Sequence, residues 1–387
     1  MIKTRISLAA IAIALAMPAG LSAQIAVSAN DGKQLRPGDA GRTADSVSVI
    51  DLRSYPPKTI GTVAAPASMI GAPAAVAVAR NGGFALVSAA QRLKTDGTLE
   101  LNDQVSVIDL ANATAPAVSQ TVQAGPGASG VTINRAGTLA LVASTGDDTV
   151  SIFTIRGKRL TPAGKVQLAA KARPTDVVFL PNGRGALAVA QSAGQLVRLS
   201  VSGDSVRITG EPISTGVQPY GVTVSPDSRY VYNTNLQGNA PPAGTTTPRG
   251  PRVGTVTATD LATGHVDSVE VGFTPEHLTL SRDGRYLAVV VHNGSGGTPG
   301  SPGYWPNGAL KIYGVKGTTL TPITEAKTGA WCQGATFSDD ARRLLLQCAL
   351  HKNIEVYRFN GKALTRDEAA TLQFDARPGA IATANSR

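Results

Sequence analysis

Two neighbouring residues in the segment TPEHLTLSRDGRY could supply acid–base chemistry. Glu276 and His277 place a carboxylate beside an imidazole, and such a pair can act as a general base with an orienting partner. His292 offers a second imidazole that could help to activate water, and Arg173 offers a cation that could stabilise an oxyanion. Because adjacent residues of a strand point to opposite sides, only one of Glu276 and His277 should face a channel. The alternative is that this segment is an ordinary strand start.

A second group of residues has side chains suited to binding rather than to proton transfer. Aromatic rings and imidazoles favour a sugar, a lactone or an aromatic ligand. The candidate ligand-binding residues are Phe273, Tyr304, Trp305, Trp331 and His351. The alternative is a covering role, in which Tyr304 and Trp305 fold over Trp331 and Phe273.

The two cysteines, Cys332 and Cys348, are predicted to form a disulfide bond. Both are equally distant in sequence from Asp340 in the turn SDDA, so they should lie opposite one another in a hairpin. An oxidising exported compartment would form this bond. The sequence has no C-x-x-C pair and no close Cys/His spacing, and therefore no metal site is expected. No cofactor is expected, because nucleotide-binding and haem-attachment motifs are absent.

The elements that must position these residues are short strands in a repeating order. Asn, Asp and Gly in tight turns supply the positive φ or the side-chain hydrogen bonds that a hairpin needs. Such turns separate two apolar segments at six places: ARNGGF, NRAGTL, LPNGRG, SPDSRY, SRDGRY and SDDARR. A third strand type occurs seven times, beginning at Ser46, Gln104, Thr149, Gln195, Thr255, Ala309 and Asn353. Because a fourth strand follows each, the period of about 40–50 residues is typical of a β-propeller.

The two ends of the repeat region are predicted to form one blade together. RPGAIATA, from Arg377, matches a first strand with nothing after it, and QIAVSAN, from Gln24, matches a second strand with nothing before it. The sequence therefore predicts an all-β fold, a seven-bladed β-propeller with four-stranded blades. Its last blade would be closed by the N-terminal and C-terminal strands, which removes a long exposed edge.

The motif YVYNTN and the recurring pattern P-x-G-V-x-V-x-P-D/N-G carry a resemblance to known families. Over nearly the whole chain after residue 23, the sequence resembles YVTN-repeat propellers and the lactonase-like propellers of the 6-phosphogluconolactonase type. The resemblance implies the fold, whereas propellers of this kind include enzymes, cofactor carriers and binding scaffolds. In the lactonase-like group a Pro-Arg-His often opens an inner strand. Pro275 and His277 fit that pattern, but Glu276 replaces the Arg, which puts phosphorylated substrates in doubt.

Loop lengths predict which face of the propeller carries function. The long-loop face is the one that carries the loops between second and third strands and the loops between blades; the hairpin-turn face is the opposite one. Four of the loops between second and third strands are long, at residues 30–45, 90–103, 235–254 and 292–308. Around the ring they should form two neighbouring pairs that face each other across the channel and form the walls of a cleft. Long loops in compact domains are usually functional or disordered, so this face is the predicted site. The alternative is a set of mobile Gly/Pro-rich insertions without a ligand.

The N-terminal residues and the charge indicate where the protein acts. Residues 1–23 have Lys3 and Arg5, an apolar run and small residues, which is the layout of a secretory signal peptide. A single propeller domain, residues 24–387, should then be exported to the periplasm or secreted. The sequence has no later run apolar enough for a membrane span. The net charge of +10 is scattered, so it indicates no nucleic-acid binding and at most a preference for anionic ligands.

Two functions remain open from the sequence. The first is an exported binding scaffold, expected to be monomeric, that holds a sugar, a lactone or a periplasmic protein partner on the long-loop face. The second is a lactone hydrolase in which His277, with Glu276 or His292, activates water. A carrier of a redox cofactor ranks last because the sequence has no covalent attachment motif.

Overall fold

A computed structural model describes residues 24–36, 38–240 and 252–384 of the chain. These residues form seven four-stranded antiparallel sheets, the blades of a β-propeller, which confirms the predicted fold. The predicted signal peptide, residues 1–23, lies outside the described residues. In the described part of the chain, no helix is both long and apolar enough to cross a membrane.

Blades 1 to 3 occupy the first half of the chain. Blade 1 contains β4 (Val76–Val78), β5 (Phe84–Ser88), β8 (Gln104–Asp109) and β9 (Ala117–Gln123), with an inserted hairpin of β6 (Gln91–Leu93) and β7 (Leu99–Leu101). Blade 2 contains β10 (Ala128–Ile133), β11 (Leu139–Ser144), β12 (Thr149–Arg156) and β13 (Arg159–Gln167). Blade 3 contains β14 (Pro174–Phe179), β15 (Gly185–Ala190), β16 (Gln195–Ser202) and β17 (Ser205–Ile208), with β18 (Ile213–Ser214) also on β16 and a 3-10 turn at Gln191–Ala193.

Blades 4 to 6 follow the same order, and blade 7 joins the two ends of the chain. Blade 4 contains β19 (Pro219–Val224), β20 (Tyr230–Asn235), β21 (Val253–Asp260) and β22 (Val266–Phe273). Blade 5 contains β23 (Pro275–Leu280), β24 (Tyr286–Val291), β25 (Ala309–Lys316) and β26 (Thr319–Lys327). Blade 6 contains β27 (Cys332–Phe337), β28 (Arg343–Cys348), β29 (Asn353–Phe359) and β30 (Leu364–Gln373). Blade 7 contains β31 (Arg377–Thr383), β1 (Ile25–Asp31), β2 (Ser46–Asp51) and β3 (Lys58–Ala64).

The apolar core lies between neighbouring blades. The inner strands β10, β14 and β27 are buried along their whole length, because each sheet packs on a neighbour on both sides. Val105 and Val107 of blade 1, for example, share one apolar cluster with Val131 and Ala140 of blade 2. Outer strands such as β13 are mostly exposed. This arrangement leaves the ends of the inner strands to surround a central channel.

The repeated hairpin turns are held by a Ser-x-Asp hydrogen-bond set. In blade 5, Ser281 Oγ donates to Asp283 Oδ1 (2.6 Å), which accepts the Arg285 N–H (3.1 Å), and Ser281 Oγ accepts the Tyr286 N–H (3.0 Å). Blades 4 and 6 repeat the same bonds from Ser225 and Ser338. The turn residue Gly284 has a φ of +71°, as the sequence pattern requires.

The asparagines of YVYNTN are structural. Asn235 is fully buried, and its Nδ2 donates to Thr257 Oγ1 (2.6 Å) while its Oδ1 accepts the Gly216 N–H (3.0 Å) and a bond from Asn233 Nδ2 (2.9 Å). The amide thus joins the second and third strands to the preceding interblade loop. Its role is to satisfy buried polar groups, which are costly when left unpaired.

Blade 7 closes the ring through both backbone and side-chain bonds. Strand β31 pairs with β1 in antiparallel register, so that Ser28 lies opposite Ile381. From blade 6, Gln347 Nε2 donates to Ser28 Oγ (2.8 Å) and to Ala380 O (3.0 Å). Both partner strands of blade 7 are therefore tied to the preceding blade.

Candidate functional site

At the long-loop end of the channel, the second residue of each inner strand stands at the mouth. In blades 4, 5 and 6 these residues are Tyr220, Glu276 and Gln333. Glu276 is half-buried, and its Oε2 accepts a bond from Gln333 Nε2 (3.1 Å), which also donates to Met69 O (3.2 Å). Burial raises the pKa of Glu276 to about 7, and the Gln333 bond opposes that rise. A carboxyl with this pKa can both accept and donate a proton near neutral pH.

Tyr220 and Arg173 lie within electrostatic range of one another and flank this mouth. Burial raises the pKa of Tyr220, the negative charge of Glu276 raises it further, and the positive charge of Arg173 lowers it. The Arg173 residue is exposed, has a φ of +51°, and donates its N–H to Asp148 Oδ1 (2.8 Å). The structure therefore brings Glu276 and Arg173 into one electrostatic environment through Tyr220. The sequence indicated neither Tyr220 nor Gln333, although both align with Glu276 in the repeat.

His277 lies deeper, between blades 5 and 6. It is buried, and its Nδ1 accepts the Ala335 N–H (3.2 Å). Asp176, at the same repeat position in blade 3, accepts the Val222 N–H (3.1 Å) in the same way. The cavity beside His277 has a volume of about 10 Å³, room for about one water molecule. A bulge between Pro275 and His277 breaks the regular alternation of the strand. His277 thus bridges two blades, and its catalytic role remains a prediction.

His292 and Trp331 form a packed cluster beneath the loop at 292–308. Their rings meet edge to face at 5.8 Å, and the guanidinium of Arg36 lies 3.8 Å from the centroid of the Trp331 ring. The buried His292 Nε2 accepts the Gly296 N–H (3.3 Å), while its Nδ1 has no partner. Burial lowers the pKa of His292 to about 4, and the charge of Arg36 adds to this effect. A neutral, enclosed imidazole suits a packing role better than water activation.

The remaining candidate binding residues are spread over the long-loop face. Trp305 is 55% exposed, and the covering of Trp331 and Phe273 by Tyr304 and Trp305 stays a prediction. Arg36 and Gly296 lie against the Trp331 ring. Tyr304 and Phe273 are half-buried, and His351 is exposed beside Gly329. Trp305 is the ring that a partner could reach without rearrangement.

Two of the long loops form one hydrogen-bonded wall. Gln34 Nε2 donates to Gln91 Oε1 (2.9 Å), and Arg42 Nη2 donates to Gly97 O (3.0 Å), which joins residues 30–45 to the β6–β7 hairpin. Arg36, from the loop at residues 30–45, contacts Trp331, and this contact links the wall to the cluster beneath the loop at 292–308. In the loop at 235–254, residues 241–251 lie outside the described residues.

Buried charges fix the first of these loops. Arg377 is 2% exposed; it forms an ion pair with Asp39 and donates from Nη1 to Ala349 O (2.8 Å). Lys352 Nζ lies 3.3 Å from Asp39 Oδ1. These contacts hold residues 30–45 against blade 6, and the loop is therefore a built part of the face.

The predicted disulfide bond between Cys332 and Cys348 is confirmed. The two residues are directly paired across β27 and β28, and both are fully buried. Glu355 lies close to both sulfur atoms, but sulfurs joined to one another offer no thiolate to a metal ion. The bond fastens the inner strand that carries Gln333.

Replacing Glu276 by Gln is expected to stabilise the protein at high pH. The pKa of Glu276 is raised from 4.5 to about 7 on folding, so the folded state binds more protons and wild-type stability falls as the pH rises through this window. At pH 8 the Gln variant should gain about 1–3 kcal/mol over wild type, and at pH 4 the gain should vanish. Urea unfolding at both pH values measures this. The exposed Glu270→Gln control should show no such pH dependence.

His292 is expected to act in the opposite direction. Its pKa is lowered from 6.5 to about 4 on folding, so the unfolded state binds more protons between these values and stability is lost as the pH falls. Relative to His292→Gln, wild type should lose up to about 3 kcal/mol between pH 7.5 and 4. Urea unfolding across this range, with the exposed His265→Gln as control, checks the slope. Parallel curves for wild type and His292→Gln would contradict the assignment.

Comparison with known proteins supports the fold. No family model and no curated protein matches the sequence. A functionally unknown protein from Desulfotomaculum acetoxidans has a TM-score of 0.68 at 12% identity, over 94% of this chain and 100% of that chain. A protein of Bacteroides uniformis assigned as a candidate 6-phosphogluconolactonase has a TM-score of 0.67 at 16% identity, over 93% and 98%. Hydrazine synthase of Kuenenia stuttgartiensis has a TM-score of 0.62 at 17% identity, over 82% and 90%. These TM-scores show that the chain shares a fold with its structural neighbours. Because the neighbours carry such different names, the shared fold does not identify an activity.

Proposed function

We propose that this protein is an exported binding scaffold that holds a sugar-type ligand on its long-loop face. The observation that carries the proposal is the exposed Trp305 on a face where the loop at residues 30–45 is fixed by the Arg377–Asp39 ion pair and by the Arg36–Trp331 contact. A rigid wall with an accessible aromatic ring suits stacking against a sugar or lactone ring. The same ring could instead anchor a periplasmic protein partner.

Export is part of the proposal. The predicted signal peptide supports it, and so does the buried disulfide bond, because such bonds persist in oxidising compartments. Mass spectrometry of the protein from the periplasmic fraction should show an N-terminus at Gln24 and oxidised cysteines. Recovery of full-length, reduced protein in the cytoplasm would overturn this part.

Intrinsic fluorescence provides a direct test of the binding site. Both tryptophans of the sequence, Trp305 and Trp331, lie on the long-loop face, so their emission reports on that face alone. Titration with a panel of sugars and lactones should give a saturable change in wild type that Trp305→Ala abolishes, whereas Trp331→Phe should retain binding. If no sugar or lactone changes the emission, the small-molecule proposal fails and a protein partner becomes the alternative.

A second candidate function, lactone hydrolysis, is favoured by Glu276. Its pKa of about 7 and its place at the channel mouth fit a general base better than the enclosed His277. The structural likeness to candidate 6-phosphogluconolactonases raises this possibility as an analogy of fold. Acid release from sugar lactones should be lost in Glu276→Gln and kept in Glu270→Gln. No turnover above the spontaneous rate in wild type would exclude hydrolysis of the lactones tested.

A further inference from the structure

A larger cavity lies at the other end of the channel, on the hairpin-turn face. Its volume is about 230 Å³, against about 10 Å³ for the cavity beside His277. It is lined by the last residues of the inner strands β4, β10, β14, β19 and β23 and by the turns that follow them. The cavity is therefore the wider mouth of the channel, and it has room for a ligand of a few heavy atoms rather than for water alone.

The inner wall of this cavity is apolar. Five of its lining residues, one from each of the strands β4, β10, β14, β19 and β23, are Val78, Ile133, Phe179, Val224 and Leu280. Each is buried and belongs to the packed core, so the wall is fixed before any ligand arrives. A preformed apolar wall favours a ligand with a compact hydrocarbon or aromatic body.

Three arginines stand at the rim. Arg80, Arg135 and Arg282 line the cavity, and each is the second residue after the end of its inner strand, in blades 1, 2 and 5. Pro181 and Pro226 occupy the same position in blades 3 and 4. The repeat thus places cations at equivalent points around one opening, where their fields add.

Two of these cations, Arg80 and Arg135, have no acidic partner among the residues that the structure describes. Arg282 Nη1 lies 3.3 Å from Asp339 Oδ2 and is neutralised by it. For Arg80 and Arg135, no carboxylate among the described residues lies within 4.0 Å of a charged nitrogen. Their inner strands, β4 and β10, are neighbours in the ring, so the two arginines stand on adjacent turns of the rim. Arginine guanidinium groups hold carboxylate and phosphate groups with paired hydrogen bonds.

We propose that this cavity binds a small organic anion, whose carboxylate or phosphate group is held by Arg80 and Arg135. The apolar body of the ligand lies on the wall formed by the inner strands. This site is at the opposite end of the channel from Trp305 and Glu276, so it stands independently of the function proposed above. The positive net charge of the chain raises the local concentration of such ligands.

Isothermal titration calorimetry of the chain from residue 24 onward tests the site. The probes are benzoate, phenyl phosphate and the uncharged benzyl alcohol, at low ionic strength. At least one of the two anions is expected to bind saturably, more weakly as salt is added, while benzyl alcohol gives no saturable heat. Binding of one anion alone assigns the carboxylate or the phosphate class. If neither anion shows saturable binding at concentrations up to about 10 mM, the proposal is overturned.

Matched variants separate the site from general charge effects. Arg80→Gln/Arg135→Gln should weaken binding at least about tenfold, because charge-assisted hydrogen bonds are lost. Arg184→Gln/Arg342→Gln removes the same charge from exposed turns of the same face and should change the affinity less than about twofold. Equal losses in the two double variants would overturn the assignment. Circular dichroism confirms that each variant is folded.

The tryptophans provide an independent control on location. Because Trp305 and Trp331 lie on the long-loop face, filling the arginine-rimmed cavity should leave their emission unchanged while the calorimetric signal saturates. A change in emission that follows the same binding curve would place the anion on the long-loop face and overturn the proposed site.

Discussion

Replacing Arg377 by Ala should lower the free energy of unfolding by about 2–4 kcal/mol, because it removes a buried guanidinium together with its ion pair and its hydrogen bonds to backbone carbonyl groups. Arg377 is 2% exposed, pairs with Asp39, and donates to Ala349 O (2.8 Å) and to Gln34 O (3.3 Å). Alanine would leave Asp39 with Lys352 as its remaining cation and would remove the side-chain donors to Ala349 O and Gln34 O at the seam between blades 6 and 7. Urea unfolding monitored by circular dichroism measures the loss.

The control for this prediction is Arg358→Ala. Arg358 also faces a carboxylate, at 3.7 Å from Asp367, but its side chain is 61% exposed, so the loss should stay below about 1 kcal/mol. If Arg377→Ala does not fold, Arg377→Lys keeps the charge and loses the paired donors, and an intermediate loss is expected. Equal stability of Arg377→Ala and Arg358→Ala would refute the role assigned to the seam.

Removing the disulfide bond should lower the free energy of unfolding by about 3 kcal/mol, because the crosslink no longer restricts the conformations of the unfolded chain. Cys332 and Cys348 are 16 residues apart in sequence and fully buried. The variant to compare is Cys332→Ala/Cys348→Ala, which fits the buried space without adding a polar group. Unfolding in guanidinium chloride, with and without dithiothreitol, measures the loss.

The reductant separates the crosslink from the side chains. Dithiothreitol should destabilise wild type toward the level of the double variant and should leave the double variant unchanged. Wild-type stability that does not respond to complete reduction, verified by thiol titration, would show that the crosslink contributes nothing.

Most of the fold was predictable because propeller blades repeat local information. Six of the seven third strands begin at the predicted residue, and the other, predicted from Thr255, begins at Val253. Turn chemistry fixes these boundaries, as the Ser281–Asp283 bond shows. The Cys332–Cys348 pair was predictable for the same reason, because a tight turn sets the register on both sides.

The site was less predictable because its contacts join residues that are far apart in the chain. Gln333 donates to Met69 O across 264 positions of sequence, and Arg36 reaches Trp331 over blade 6. No local pattern encodes such pairs. The burial of each side chain was also not predictable from local sequence. Glu276 lies at the channel mouth, whereas its neighbour His277 is enclosed between two blades. The arginines of the second cavity were visible in the sequence as turn residues, yet their convergence depends on the closed ring.

The split blade also sets the order in which the protein can be completed during synthesis. Strand β1 is made first, but its inner partner β31 is the last strand, separated from it by nearly the whole chain. Closing a loop of that length is slow and entropically costly, and it cannot begin until Arg377–Thr383 has emerged. Until then the edge of β1 lacks a partner, and blades 1 to 6 form an open arc. The ring therefore closes last, whatever the order in which blades 1 to 6 form, and the finished propeller exists only after its final strand has been synthesised.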